Sequence, residues 1–412
     1  MNKPARKDYH VFLLGLSRNH YGIIKNVHRH VRAVHVFAPE GDHFGNSRLP
    51  FRRIPLSLEA EPKAVLTKLI QLGESLDAPK LIVPACDREL HFVAEHAAAL
   101  GKHYALSMPR FEVLGEVMDK YRLQALLSAH GIAYPKTVLI DRAPTHEMLG
   151  SITFPCIVKP AFSGDWKTPC SNRVIGEVKA TMCESAADVA ALYDRVKAFS
   201  PRLIAQRIIQ PKEDKTYSYC CYSGEGGKVL FGFVTSKILQ YPKGLGTALM
   251  CRSVENEAVS RLGRHVVESI GLDGIAEVEV IQDALDGRHY VIEINPRHWM
   301  QHAMSGRLGV NFSLLDCHYR LGRADEARSL LAGPETRRPV AWFDDVGFLI
   351  HAAKNLFVKD CHYSEMLGCA IELSLFSVRD PWPFISCLKS KLRRRREPGR
   401  GHGLRMAGAP RA

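Results

Sequence analysis

The sequence predicts an α/β protein: a doubly wound N-terminal domain, an α+β region behind it and a largely helical C-terminal extension. Three observations carry this. Compact apolar runs of strand length alternate with helical segments in the first quarter of the chain, the pattern of a parallel sheet with crossover helices. From Glu116 the pattern changes to strands that pair through tight turns. Beyond Arg320 helical segments run as far as the DPWP breaker at Asp380–Pro383.

The elements follow in order. YHVFLLGL reads as a buried parallel strand, with GIIKNVHRHV as the helix after it. AVHVFA and KLIVPA are further strands, and EPKAVLTKLIQLGESL and LHFVAEHAAALG have apolar residues at helical spacing. Gly15 follows the first strand, but GLSRNHYG is not GxGxxG, so no dinucleotide site is expected. VMDKYRLQALLSAHG reads as a helix stopped by Gly131. YPKTVLI and FPCIVKP are strands, AFSGDWKTPCSNRVIG a loop, SAADVAALYDRVKAF a helix with a serine cap, and RLIAQRII a strand. YSYCCYS and KVLFGFVTSKILQY pair around GEGG, and EAVSRLGRHVVESIG is a helix. GIAEVEVIQ and HYVIEINP form a hairpin whose turn holds Asp286-Gly287.

Composition narrows the function classes. The net charge is +13, but residues 388–412 hold nine Lys or Arg against one Glu, so +8 of it belongs to the end of the chain. That Gly-, Pro- and Arg-rich segment is expected to be a disordered tail, either simply solvated or in peripheral contact with anionic membrane. It has no aromatic residue after Phe384, which argues against nucleic-acid binding. No apolar run approaches about 18 residues, and no cleavage site follows VFLLGL, so neither a membrane span nor a signal peptide is expected. Eleven scattered cysteines without a CxxC pair read as reduced thiols of a cytoplasmic protein, with Cys220-Cys221 as packing. The histidines of the first 45 residues lack metal-ligand spacing on any one element.

The hairpin carries the chemistry. With its turn centred on Asp286, Glu279 faces Glu293, and Asn295 shares a face with Glu293. Opposed carboxylates repel, and a divalent cation reverses that sign. Two carboxylates and an amide oxygen are hard ligands that suit Mg²⁺, with Mn²⁺ as the alternative ion. Glu277 lies on the same face; a merely solvated acidic face is the competing reading. Lys159 ends an apolar strand, where an ammonium is costly unless an anion receives it. Lys120 lies in a helix, where an ordinary surface lysine is the plainer reading. With Lys237 and Arg297, these residues could hold a triphosphate.

The order of the pieces is the stronger signal. Ser47-Arg48, LIVPACD, DKYRLQALLSAHGIAYPKT, FPCIVKP, LIAQRIIQPKEDKTYSY, KILQYPKGLGT and GIAEVEVIQDALDGRHYVIEINPRHW follow one another along the chain. In this arrangement, from about Val11 to Arg320, the chain resembles the ATP-grasp superfamily, and within it the carboxylate–amine ligases of the D-aspartate ligase-like kind. The resemblance implies a Rossmann-like pre-ATP-grasp domain over 1–115 and a two-lobed α+β ATP-grasp domain over 116–325. The small lobe would span 116–200 and the large lobe 201–325, followed by a helical extension over 326–387. ATP and Mg²⁺ would bind between the lobes. Lys120 and Lys159 match the lysines that reach the nucleotide. Gln206, Arg207 and Ile208 match the segment that hydrogen-bonds adenine, and Glu213 or Asp214 the acid on the ribose. Glu279, Glu293 and Asn295 match the metal ligands. Arg297 matches the arginine that steadies the transferring phosphoryl group, and Lys237 joins it as a catalytic cation. The loop after Lys159 is poorer in glycine than is usual in the superfamily. It holds Gly164 and Gly176, with the Ser163 hydroxyl as a substitute donor.

The activity implied is a ligase. A small-molecule carboxylate takes the γ-phosphoryl group to form an acylphosphate, and an amine displaces phosphate. The alternatives are a non-catalytic ATP-binding or assembly protein, or an ATP-dependent carboxylation or carbamoylation enzyme. The extension suggests a link to cell-surface or exopolysaccharide metabolism by analogy alone. A homodimer is compatible with the sequence, and no nucleic-acid partner is expected.

Overall fold

The computed structural model describes residues 8–176, 178–241, 246–333, 338–354 and 363–396. The chain divides into two compact units. Unit 1 is Met1–Pro135 with Ile209–Ser386, and unit 2 is Lys136–Ile208 with Cys387–Ala412.

Unit 1 opens on a parallel sheet of β1 (His10–Leu13), β2 (Ala33–Phe37), β3 (Arg52–Ile54), β4 (Lys80–Ile82) and β5 (Ala105–Leu106), in the order β3-β2-β1-β4-β5. This is the doubly wound sheet the alternation predicts, with β3 and β5 too short to be read from sequence. Phe12, Phe37 and Ile82 pack with Val65 and Leu69 of the helix Pro62–Ser75. The strand order reverses between β1 and β4, so a crevice forms at their carboxyl ends, where open α/β sheets bind ligands. Residues 15–19 and 83–87 occupy that position.

Unit 2 is an antiparallel sheet of β6 (Thr137–Ile140), β7 (Cys156–Pro160), β8 (Thr181–Cys183) and β9 (Leu203–Arg207), ordered β6-β9-β7-β8. The stretch expected as a loop after Lys159 is instead structured. It forms a 3-10 turn at Ser163–Trp166 and a helix at Pro169–Ile175, capped by Thr168 with a reciprocal bond from Ser171. Trp166 and Ile175 fill the core beside Val158, Val189 and Leu203. Two apolar anchors and a capping box fix a segment whose glycine content gave no sign of it.

The remainder of unit 1 is a mixed sheet of β10 (Pro211–Ser223), β11 (Val229–Tyr241), β12 (Thr247–Val254), β13 (Gly274–Asp283), β14 (His289–Asn295), β15 (Val340–Phe343) and β16 (Ala370–Leu373). Its order is β14-β13-β10-β11-β12-β15-β16. Strand alternation divides its faces. Ala276, Val278 and Val280 pack with Tyr219 and Cys221 against the helix Glu257–Ser269. Gly263 lets that helix lie on Tyr219, since a Cβ there would come within 2.2 Å of the ring. Ile275, Cys220 and Tyr222 face the other way, toward Phe312 and Leu315 of the helix Phe312–Arg320. Both cysteines are fully buried, as the packing reading requires.

Three further differences from expectation have physical causes. Residues 116–135, expected in the small lobe, belong to unit 1 because Val117, Leu123, Leu127 and Ile132 complete its core. The extension is helical as expected, but it also adds β15 and β16 to the sheet. It grips one face of the helix Arg18–Val27: Asp344 pairs with Arg18, Asp380 accepts from Tyr21 Oη at 3.0 Å, and Glu372 binds Lys25 at 2.9 Å. Finally, the helix Trp382–Arg396 carries the start of the basic segment, so 388–396 is helical and not a disordered tail; 397–412 lie outside the described residues.

Candidate active site

The site is built on the hairpin of β13 and β14. Its register pairs Glu279 with Glu293 and Glu277 with Asn295. The predicted opposition holds, though by two compensating features. Nearer the turn, Gln282 pairs with His289 and Val280 with Val291, half a residue off a turn centred on Asp286. A bulge at Ile292 restores the difference. It also explains how Val291 and Ile294 both reach the apolar core while Glu293 and Asn295 stay on the opposite face.

Lysines neutralise the opposed carboxylates. Lys237 Nζ lies 2.7 Å from Glu279 Oε2, and Lys120 Nζ 3.2 Å from Glu293 Oε1. Their repulsion is therefore offset by these lysines as well as by the cation the sequence suggests. The surface reading of Lys120 is corrected, since the residue is 6% exposed. The helix is interrupted so that Asp119, accepting from the backbone of Tyr121 and Arg122, caps a new segment on which Lys120 is the first residue. Burial works against the Lys237 ammonium, but Glu279, then Glu277 and Glu293, hold it above the ordinary lysine range. Burial first, and Glu279 second, push the Glu277 carboxyl up to about 7.

A chain of hydrogen bonds fixes the end of β14. Asn295 Nδ2 donates to Glu277 Oε2 at 3.0 Å, so its Oδ1 is free to accept from Arg297 Nη2, also at 3.0 Å. Arg297 Nε donates to Asp87 Oδ1 at 2.5 Å and Nη1 to the His298 carbonyl at 3.1 Å. Burial opposes the Arg297 charge, but Asp87 outweighs it and the guanidinium stays ionised. Asp87, at the carboxyl end of β4, was not among the sequence candidates, although it closes the quoted LIVPACD piece. Its position beside the reversal of strand order was the available signal.

Unit 2 holds the other candidates. Lys159 lies in β7 opposite Ile204, and Ser163 and Gly164 begin the 3-10 turn, where Gly164 packs against the Phe162 ring. Gln206 is buried, its amide donating to Thr137 Oγ1 at 2.8 Å, and the Arg207 backbone N–H is taken by the Lys136 carbonyl. Of the three residues matched to the adenine segment, Ile208 alone lies beyond the strand. In unit 1, exposed Glu213 sits in an irregular part of β10 at φ 55°, a left-handed conformation rare outside glycine and common at ligand sites. The side chain of Asp214 lies outside the described residues. No cluster of three or more His, Cys, Asp or Glu occurs among the described residues as a metal site. An ion on Glu279, Glu293 and Asn295 would thus draw its remaining ligands from phosphate or water, as Mg²⁺ commonly does.

A carboxylate pair, an amide oxygen, two lysines and a buried arginine meet at the β13–β14 hairpin, a set of groups that could hold polyphosphate with a hard cation. The profile of one protein family, described as the ATP-grasp domain, matches residues 117–299. The chain contains an ATP-grasp domain. Its hairpin lies wholly within the match, and Asp87 lies outside it. A D-alanine–D-alanine ligase of Chromohalobacter salexigens is 26% identical over 187 residues, covering 43% of this chain and 54% of that enzyme. This chain thus spans about half that enzyme's length. A D-aspartate ligase of Enterococcus faecium is 21% identical over 316 residues, covering 72% and 73%. These relatives accord with the carboxylate–amine ligase branch of the ATP-grasp proteins. Among solved structures, a biotin carboxylase of Campylobacter jejuni shares the fold, with TM-score 0.62 at 15% identity, covering 81% of this chain and 74% of that one. No helix among the described residues is long and apolar enough to cross a membrane.

Proposed function

We propose that the protein is an ATP- and Mg²⁺-dependent ligase that joins a small-molecule carboxylate to an amine through an acylphosphate. The observation that carries the reading is the face where Glu279, Glu293 and Asn295 stand with Lys237, Lys120 and Arg297. The donor set is hard and partly anionic, which fits Mg²⁺ or Mn²⁺. When bound, the ion would neutralise charge on the transferring phosphoryl group. The chain's own residues do the rest. Each unit brings its own groups: in unit 1, Lys120 for the phosphates and Glu213 or Asp214 for the ribose, and in unit 2, Lys159, Ser163 and Gly164 for the phosphates and Gln206–Ile208 for adenine. Arg297 and Lys237 face the phosphoryl oxygens as the substrate carboxylate attacks, lowering the repulsion between two anions. Among the described residues Arg297 donates to three protein acceptors, which leaves two of its five N–H groups for an anionic oxygen.

The names of the sequence relatives support amino acids as the carboxylate and amine. The biotin carboxylase fold likeness supports ATP-dependent carboxylation as a second reading. A screen of D- and L-amino acids and bicarbonate for substrate-dependent ADP release separates them. ADP release with amino acids upholds the ligase; release with bicarbonate alone overturns it. A cytoplasmic setting, a homodimer and peripheral contact of 388–412 with anionic membrane complete the reading. Equal binding of full-length protein and a 388–412 deletion to phosphatidylserine vesicles would remove the membrane part.

A further inference from the structure

Three side chains at the carboxyl ends of β1 and β4 stand in a line that phosphoryl transfer does not use. The backbone N–H of Ser17 donates to His20 Nδ1 at 3.0 Å. An N–H can only donate, so Nδ1 accepts and the ring proton sits on Nε2. That Nε2 lies 2.8 Å from Glu89 Oε1 and 3.0 Å from Oε2. The Ser17 hydroxyl lies 2.8 Å from the same Nδ1, so hydroxyl and backbone N–H share that nitrogen's one lone pair. Glu89 also accepts from the Ala85 backbone at 2.8 Å. Burial alone would raise the Glu89 carboxyl, but His20 and the hydrogen bonds hold it below the ordinary range, as a carboxylate. His20 and Glu89 are buried and Ser17 is exposed, so the line runs carboxylate, imidazole, hydroxyl, solvent. Gly15 makes room for it, since a Cβ there would meet Glu89 Oε1 at 2.8 Å and His20 Cε1 at 2.9 Å.

Helix capping accounts for one of these bonds only. A Glu or Gln three residues after the cap would serve the helix Arg18–Val27 equally well. Capping does not call for a buried carboxylate behind the ring. The location is also specific. Asn19 Nδ2 and Arg297 Nη1 both donate to the His298 carbonyl, at 3.2 and 3.1 Å. Asp87, which holds Arg297, and Glu89, which holds His20, stand on the first turn of one helix, Asp87–Glu95.

We propose that Ser17, His20 and Glu89 form the proton acceptor for the attacking amine, an inference that rests on the ligase reading above. The amine nitrogen forms the C–N bond, and the C–O bond to phosphorus breaks, its electron pair leaving with inorganic phosphate. The proton lost by nitrogen passes to Ser17 Oγ while the hydroxyl's own proton moves to His20 Nδ1, which gives up its bond from the Ser17 backbone N–H as it is protonated. The imidazolium so formed faces the Glu89 carboxylate. His298 and His302 also act on His20, and burial keeps both uncharged, so they add no opposing positive charge.

The test compares two nucleophiles on one acylphosphate. Both nitrogens lose a proton as the C–N bond forms, but hydroxylamine starts neutral, whereas an amino acid must also give up its ammonium proton. Full-length wild type, Ser17→Ala and His20→Gln are incubated with MgATP and an equimolar pool of D- and L-amino acids, with and without hydroxylamine. The expected result is that the ratio of amide product to hydroxamate falls about a hundredfold in both variants. A ratio within threefold of wild type, in either variant that folds, would overturn the proposal. Ser17 is exposed, so its variant keeps the test open if His20→Gln does not fold. Wild-type protein that yields neither product would instead sink the ligase reading, and the proton acceptor with it.

Discussion

At the scale of single residues, the site depends on charges whose partners lie far away in sequence. Arg297 and Asp87 are 210 positions apart, yet their side chains are only 11% and 12% exposed. Truncating Asp87 removes the carboxylate that balances the buried Arg297 charge, at a typical cost of about 3 kcal/mol. Asp87→Ala should lose about that much in urea unfolding, and Asp87→Ala with Arg297→Met should recover most of it. An additive double mutant would show that the two groups do not depend on each other. Sequence alone reached Glu279, Glu293 and Asn295 because period-two alternation and an Asp-Gly turn are local rules. It could not reach Asp87 or the burial of Lys120, because both depend on which segments pack together.

At the scale of elements, interruptions place the functional side chains. The bulge at Ile292 turns Glu293 away from the core, and the break at Asp119 starts a helix at Lys120. Asp119→Ala removes a cap to two backbone N–H groups and should cost about 1 kcal/mol in urea unfolding. It should also weaken MgATP binding several-fold by calorimetry, while Asp119→Ser keeps the cap and restores both. Full MgATP affinity in a folded Asp119→Ala protein would mean that the cap does not set Lys120. Breaks of this kind leave weak traces: VMDKYRLQALLSAHG keeps apolar residues at helical spacing through the interruption. The segment after Lys159 reads as a loop in sequence for a related reason, since Trp166 and Ile175 become anchors only once the unit 2 core exists.

At the scale of the whole molecule, unit 1 buries several uncharged imidazoles. Burial, then the His10 neighbour, lowers His35 to about 4; burial lowers His302 to about 4, and His10 and His298 are lowered as well. The unfolded chain takes up protons at these rings from about pH 6.5 downward. In the folded chain His35 and His302 resist uptake until near 4, so the stability they contribute is full above 6.5 and is lost progressively as pH falls toward 4. The urea midpoint of unit 1 should therefore fall across that window, and His35→Gln should make the fall shallower. An unchanged slope would show that His35 takes up its proton equally in both states. The central claim is metal-dependent phosphoryl transfer to a carboxylate on the β13–β14 face. Its most direct test is hydroxamate formation from MgATP, hydroxylamine and the amino-acid pool by wild type and Glu293→Gln. Because Lys120 already pairs with Glu293, the variant should fold with slightly reduced stability, and its hydroxamate rate should fall by about two orders of magnitude or more. A folded Glu293→Gln protein that forms hydroxamate at the wild-type rate would contradict the account.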